Sequence, residues 1–449
     1  MPDAAPRGAP PLVIAPGSPL RGRYRLPPDP VLFPLAALLG AVSRGTTVLF
    51  HDALAPDPER AAILELLRAV GTTPEVLDDR WEIHGLGALG LLEPDRPLDF
   101  AQASRMLPLA LGLLAPYGFA TRFAGNDKVG VPHLAATVRF LRTLGVDCND
   151  LQTGRLPLTV RGPRTAVPFE AEIAGTPPEV KAAMLLAALA FPGTSSILET
   201  APVPDGIEPL LRFFGASLVT SAGAGGDRIV ALGGMPSLGA RTMELPGDPA
   251  LLLYATLAAL VTPDSDLLIE TAPFNARARA AIDFFIDMGA EIDEVDVRLS
   301  AGEEIADLRV RHSPLLGIDV EARRLAPHLI APLAVAGAFA AGETLIPRLG
   351  FAGERDLHRQ LVALLEASRA TVTLDAAGLH VSRPASGSLG GSYVRAETPP
   401  DATAAMLVLA LAAGEEVVIE DTSALTTAFP HLIAGLKSLG ATLGQQEAA

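Results

Sequence analysis

Residues 329–346 read LIAPLAVAGAFAAGETLI. Before Gly342 the stretch holds only Leu, Ile, Ala, Val and Phe, broken by one proline and one glycine, so a helix here has no polar face and belongs inside a core rather than on its surface. Gly342 stops the helix, and ETLI is short and β-prone. The same phrase recurs as LAALLGAVSRGTTVLF at 35–50, LALGLLAPYGFATRF at 109–123, MLLAALAFPGTSSIL at 184–198, LLYATLAALVTPDSDLLI at 252–269 and AMLVLALAAGEEVVI at 405–419. Its stop falls at Gly45, Gly118, Gly193, Asp264, Gly342 and Gly414, at intervals of 73, 75, 71, 78 and 72 residues.

A second phrase keeps the same beat. Amphipathic segments end in a residue suited to the left-handed helix C-cap: LLRAVG at 66–71, FLRTLG at 140–145, LLRFFG at 210–215, FFIDMG at 284–289, LLEAS at 364–368 and LKSLG at 436–440. Two independent landmarks with one period define a repeat. Each unit reads strand, buried helix, strand, amphipathic helix, strand, with Pro/Gly-rich connections. An α/β protein of six βαβαββ units around buried helices is expected, three units to a lobe.

At 449 residues and 49% hydrophobic composition, the chain is long enough for two cores. Its 35 Lys+Arg against 51 Asp+Glu give a formal charge of -16, which repels nucleic acid and acidic membrane surfaces. Lysine occurs only at Lys128, Lys181 and Lys437, so a catalytic ammonium has three candidates. The single cysteine, Cys148, excludes an internal disulfide framework and a cysteine metal cluster. Residues 1–19 are Pro/Ala-rich without the charged and apolar regions of a signal, and read as a flexible leader. Apolar runs such as 329–342 fall short of the roughly 18 residues a membrane span needs. A soluble, cytoplasmic protein without metal or cofactor is expected.

The strings at 21–47, 98–145 and 240–293, the latter with PGD at 246–248 and MGAEI at 288–292, together with Glu354 to Asp356 and the FP of Phe429 and Pro430, resemble the EPSP synthase family. The likeness runs through the whole chain after the leader. It implies the enolpyruvyl transferase fold, in which two lobes of three βαβαββ units close over substrate at a hinge. On that basis residues 20–27 and 242–449 form one lobe and 28–241 an inserted one.

The family joins two anions, phosphoshikimate and phosphoenolpyruvate, which calls for clustered arginine and lysine. Here the positions of its P-G-D-K-S-x-S-H-R loop hold Pro27, Pro28, Asp29, Pro30, Val31, Leu32, Phe33, Pro34 and Leu35. Its G-N-S-G-T-x-x-R loop aligns with 101–108, where Arg105 lies inside the loop and Pro108 takes the place of the arginine. The S-S-Q that holds a phosphate aligns with Pro177, Pro178 and Glu179, followed by Lys181, a lysine common in this helix of the family. S-R-D-H-T-E becomes Val203, Pro204, Asp205, Gly206, Ile207 and Glu208. L-R-x-K-E-S-D-R becomes 350–357, keeping Glu354 and Asp356 but losing three bases, and D-H-R-x-A-M becomes 401–406. The family's proton-shuttling aspartate aligns with His328.

A charge-assisted contact to phosphate contributes about 1.5 to 3 kcal/mol, so loss of some six bases removes most of the affinity for dianions. The resemblance therefore implies a family member whose standard enolpyruvyl transfer is lost or altered. The alternatives are a divergent transferase on a less anionic substrate and an active enzyme with relocated bases. Catalytic candidates are His328, able to exchange protons near neutrality, and Glu354. Candidate substrate-binding residues are Arg105, Lys128, Lys181, Asp356 and Arg25. Arg21, Arg23 and Arg25 alternate, so on a strand they share one face. Partner classes are a small molecule between the lobes or another protein. Gly85, Gly87 and Gly90 satisfy G-x-G-x-x-G, but LLEPDRP follows where a helix would have to open, so a turn is expected. Asn275 suits a helix N-cap.

Overall fold

The computed structural model describes residues 11–51, 57–125, 133–148, 155–200, 205–385 and 388–445. The chain divides into two compact units, one of Met1–Leu26, Gly247–Arg298 and Glu304–Ala449, the other of Pro27–Pro246 with Leu299–Glu303.

In the second unit three apolar helices, Leu32–Ala41, Leu107–Leu114 and Pro178–Leu189, form the centre of the core. Each fully buried Leu or Phe side chain there contributes roughly 1.5–3 kcal/mol. Two of these helices approach closely at Gly112, where a Cβ would lie 2.3 Å from the Ala183 carbonyl oxygen. Glycine is the residue that permits this approach. Each buried helix leads into a strand, Arg44–Phe50, Ala120–Ala124 or Thr194–Thr200. Amphipathic helices then cover the outside, as in Pro58–Ala69, which buries Ile63, Leu66 and Leu67 and is N-capped by Asp57 accepting from the Glu59 amide. The third sheet shows the pattern of the repeat. Glu170–Ala174 runs parallel to Thr194–Thr200 with Glu170 opposite Ser196, and Arg228–Gly233 then pairs antiparallel with Thr194–Thr200 and with Leu218–Ala222.

The first unit repeats the plan around Pro249–Val261, Ile330–Phe339 and Pro400–Ala412. Asp248, the aspartate of the PGD string, caps Pro249–Val261 by accepting from the amides of Ala250 and Leu251. Asn275 caps Ala276–Asp287 in the same way, accepting from the Ala278 amide.

Strands distant in sequence complete the sheets. Arg21–Arg25 pairs parallel with Asp266–Pro273. Thr242–Glu244 pairs parallel with Arg44–Phe50, which ties residues 242–246 to the second unit and puts the changeover after Pro246. Of the stretch 1–19 expected as a flexible leader, residues 1–10 lie outside the described residues, and the part from 11 on requires correction. Leu12–Ile14 is a strand between Val417–Ile419 and Leu443–Gln445, held by burial of Leu12 and Ile14. Three residues are too short a run for alternation to reveal.

Gly71, Gly145, Gly215, Gly289 and Gly440 take the left-handed conformation at the ends of the amphipathic segments. At the remaining copy the cap falls one residue beyond the expected Ser368, which has φ −86°, and Arg369 takes φ 67°. Gly85 lies in the strand Arg80–Leu86 with no helix opening behind it.

Candidate functional site

Lys181 lies in the first turn of the buried helix Pro178–Leu189 and is 1% exposed. A buried ammonium must be matched by buried carboxylates or lose its proton. Three carboxylates reach it. Nζ lies 2.9 Å from Glu199 Oε1 at the end of the neighbouring strand, 3.0 Å from Asp205 Oδ2, and 2.5 Å from Glu208 Oε1 on the helix Ile207–Phe214. Arg228 closes the group from the next strand, with Nε 2.6 Å from Glu199 Oε2 and Nη2 3.1 Å from Glu208 Oε1.

Two cations thus face three carboxylates, a net charge of −1 when all are ionised. Burial pushes the Asp205 carboxyl up to about 7, with Lys181 pulling it down and Glu208 adding to the rise. For Glu208, burial acts upward, but Lys181, with Arg228 and a backbone hydrogen bond adding to it, holds the carboxyl below its ordinary range. Burial alone would lower the Lys181 value; Asp205 and Glu208 raise it. At neutral pH the group can hold one extra proton on Asp205, which makes it electrically balanced. It has no ammonium to spare for a ligand.

Arg105 is likewise engaged. Its Nη2 lies 3.3 Å from Glu59 Oε2 and its Nε 4.0 Å from Glu179 Oε1. Glu179 stands in the first turn of the helix that carries Lys181. Burial raises the Glu59 carboxyl, Arg105 lowers it, and Asp57 and Glu179 raise it further. Arg105 and Lys181 therefore each belong to a local acidic environment within one unit. Lys128 lies outside the described residues.

In the other unit, Glu354 opens the helix Glu354–Ala367 and turns back on the preceding loop, accepting from the amides of Leu349 and Gly350, the latter at 3.0 Å. This holds the loop in place, with both carboxylate oxygens in use. Asp356, two residues on, forms an exposed pair with Arg359. His328 lies half-buried in the short turn Pro327–Leu329. Arg25 ends the strand Arg21–Arg25, on which Arg23 is paired with Glu270. Arg21, at the start of that strand, lines an open cavity of about 510 Å³ with Asp264, Ser265, Asp266 and His312. His312 Nδ1 lies 2.7 Å from the Leu260 carbonyl oxygen, and Asp266 accepts from Arg309 Nε at 3.0 Å and Nη2 at 2.7 Å.

Sequence reasoning missed the acidic partners Glu59, Glu199 and Glu179 in this role, and it missed His358. A lysine on the otherwise buried and mostly apolar helix PEVKAAMLLAAL was the available signal, because such a lysine needs carboxylates from neighbouring elements. His358 is fully buried one turn after Glu354, and among the described residues neither ring nitrogen has a hydrogen-bond partner. Burial lowers its pKa, with Glu354 acting upward and Arg348 downward. Among the described residues no three His, Cys, Asp or Glu side chains gather as a metal site, and no helix is long and apolar enough to cross a membrane.

The sequence profile of EPSP synthase (3-phosphoshikimate 1-carboxyvinyltransferase) matches residues 14–436. A 3-phosphoshikimate 1-carboxyvinyltransferase from Methylobacterium radiotolerans is 34% identical over 451 residues, spanning 98% of this chain and 99% of the relative. One from Chelativorans sp. is 32% identical over 439 residues, spanning 95% and 96%. The EPSP synthase structure from Acinetobacter baumannii superposes with a TM-score of 0.84 at 22% identity, covering 97% of this chain and all of that one. That last likeness concerns the fold.

Proposed function

The chain belongs to the EPSP synthase family, and from that premise we propose that it does not perform the family's enolpyruvyl transfer to shikimate 3-phosphate and acts as a non-catalytic binding protein. The observation that carries this reading is the state of Lys181. A phosphate approaching it would meet Glu199, Asp205 and Glu208 within 3.0 Å of the ammonium, and would have to displace at least one buried carboxylate. Arg105 has a looser acidic surround, with Glu59 at 3.3 Å and Glu179 at 4.0 Å. Glu354 turns both carboxylate oxygens onto backbone amides of its own loop.

Several bases are absent from the sequence positions where the family resemblance would put them, and Lys181 and Arg105 stand beside acids of their own unit. Both facts act in one direction. Each missing charge-assisted contact weakens a phosphate by about 1.5–3 kcal/mol, and a local excess of carboxylate adds repulsion.

A second reading has one specific support. The cavity bounded by Arg21, His312, Asp264 and Asp266 mixes basic and acidic groups, which suits a neutral or zwitterionic small molecule better than a dianion. It fits a divergent ligand and gives no support to relocated bases.

The decisive assay measures phosphate released from phosphoenolpyruvate in the presence of shikimate 3-phosphate, with product identified by mass spectrometry. No release above the uncatalysed background is expected. Saturable turnover yielding the enolpyruvyl product would refute the reading.

A further inference from the structure

The strand Ile292–Ser300 is the outermost of its sheet, whose order runs Ile292–Ser300, Glu303–Arg311, Asp266–Pro273, Arg21–Arg25. Ala301 and Gly302, with φ of 51° and 86°, make the two-residue connection to Glu303–Arg311. Positive φ at both positions is the hairpin turn that matches strand twist. Natural edge strands are usually guarded by charged side chains, above all lysine, by proline or by a covering element, because their open backbone groups template pairing with another chain. The sequence IDEVDVRLS contains neither lysine nor proline, and its charges, Asp293, Glu294, Asp296 and Arg298, include both signs.

The five residues from 293 to 297 are all exposed, so both faces of the strand are uncovered there. By alternation Val295, Val297 and Leu299 lie on one face, 58%, 47% and 76% exposed, and Asp296 and Arg298 on the other. Three neighbouring apolar side chains left to solvent on an open edge are the feature that needs an occupant.

We propose that this edge pairs antiparallel with the same strand of a second copy of the chain. The argument is charge self-complementarity. A two-fold centred on Val297 sets Val297 opposite its own copy, Val295 opposite the partner's Leu299, and Asp296 opposite the partner's Arg298. By symmetry that last pair occurs twice. Moving the axis to position 296 sets Asp296 against its own copy while Arg298 meets the partner's Glu294, and moving it to 298 sets Arg298 against its own copy; of the three registers, the one centred on Val297 has unlike pairs and no like pair. One register therefore satisfies both faces. Within one copy Arg298 Nη1 already lies 3.1 Å from Asp296 Oδ2 and 2.9 Å from Asp307 Oδ1, so the guanidinium is held at the rim. Backbone pairing would supply affinity and the side chains would set the register.

Sedimentation equilibrium on the full chain tests this with two variants. D296R leaves only positive side chains at positions 296 and 298, and R298D leaves only negative ones, so each variant repels its own copy. Mixed together they restore both unlike pairs. The expected result is a concentration-dependent dimer for the wild type, at least a ~10-fold rise in dissociation constant for each variant alone, and recovery of the dimer on mixing. V297K, at an exposed position that does not affect the core, should abolish the dimer and serves if either charge variant misfolds by circular dichroism. A wild type that stays monomeric overturns the proposal, as does a dimer insensitive to V297K. Failure of the mixed variants to recover overturns the register.

Discussion

Glu208 Oε1 lies 2.5 Å from Lys181 Nζ, joining two consecutive helices of one unit through a buried ion pair. The pair is the centre of a five-residue group in which Glu199, Asp205 and Arg228 also take part. Within this fold, such an arrangement stabilises a junction between helix and sheet. It withdraws from ligand binding a lysine that the sequence offers at only three places.

Replacing Lys181 by methionine leaves three buried carboxylates facing Arg228 alone. Removing one partner of a buried pair costs about 3–5 kcal/mol. Urea unfolding of K181M should show that loss, and adding E208Q should recover part of it, because the two sites are coupled. Near-wild-type stability for K181M would contradict a structural role for the lysine.

The pH dependence of the group has a defined sign. Asp205 is raised from 3.8 to about 7 in the folded chain, so folding takes up a proton between those values. Stability from this residue is greatest at the acid end and is lost as pH rises through about 7. The Asp205→Asn variant lacks that loss. Its melting temperature relative to wild type should therefore be higher at pH 8 than at pH 5, a range above the titration of Glu208, which lies below its ordinary 4.5. An equal difference at both pH values would show that Asp205 does not carry the proton.

His358 gives a prediction of the opposite slope. Its folded pKa is lowered from 6.5 by burial, so below about 6.5 the unfolded chain binds the proton that the folded chain refuses, and stability is lost as the solution is acidified. His358→Leu should stabilise the protein by about 1–3 kcal/mol at pH 7.5, since two unpartnered ring nitrogens leave the core. The gain should widen at pH 5.5. A destabilised variant would mean that the imidazole has a partner the leucine cannot replace.

The repeat was legible because the central helices are apolar nearly all round and because glycine marks five of the six amphipathic segments at one period. Sheet closure was not. Leu12–Ile14 finds its partners at Val417–Ile419 and Leu443–Gln445, and no local signal links strands separated by most of the chain. Arg369 could not be read as a left-handed cap, because the residue type disfavours that conformation and the surrounding fold imposes it. At the candidate site, Arg105 and Lys181 were visible as bases, but their neutralisation depends on Glu59 for the one and on Glu199, Asp205 and Glu208 for the other, which arrive from other elements. Positive residues counted along a sequence do not measure the charge available to a ligand.

Calorimetric titration of the full chain with shikimate 3-phosphate, alone and with phosphoenolpyruvate present, addresses the central claim most directly. With Lys181 and Arg105 held by their carboxylates, no saturable heat is expected up to millimolar ligand, which corresponds to binding weaker than about 4 kcal/mol. A micromolar, stoichiometric isotherm that vanishes in K181M while the variant remains folded would contradict the account.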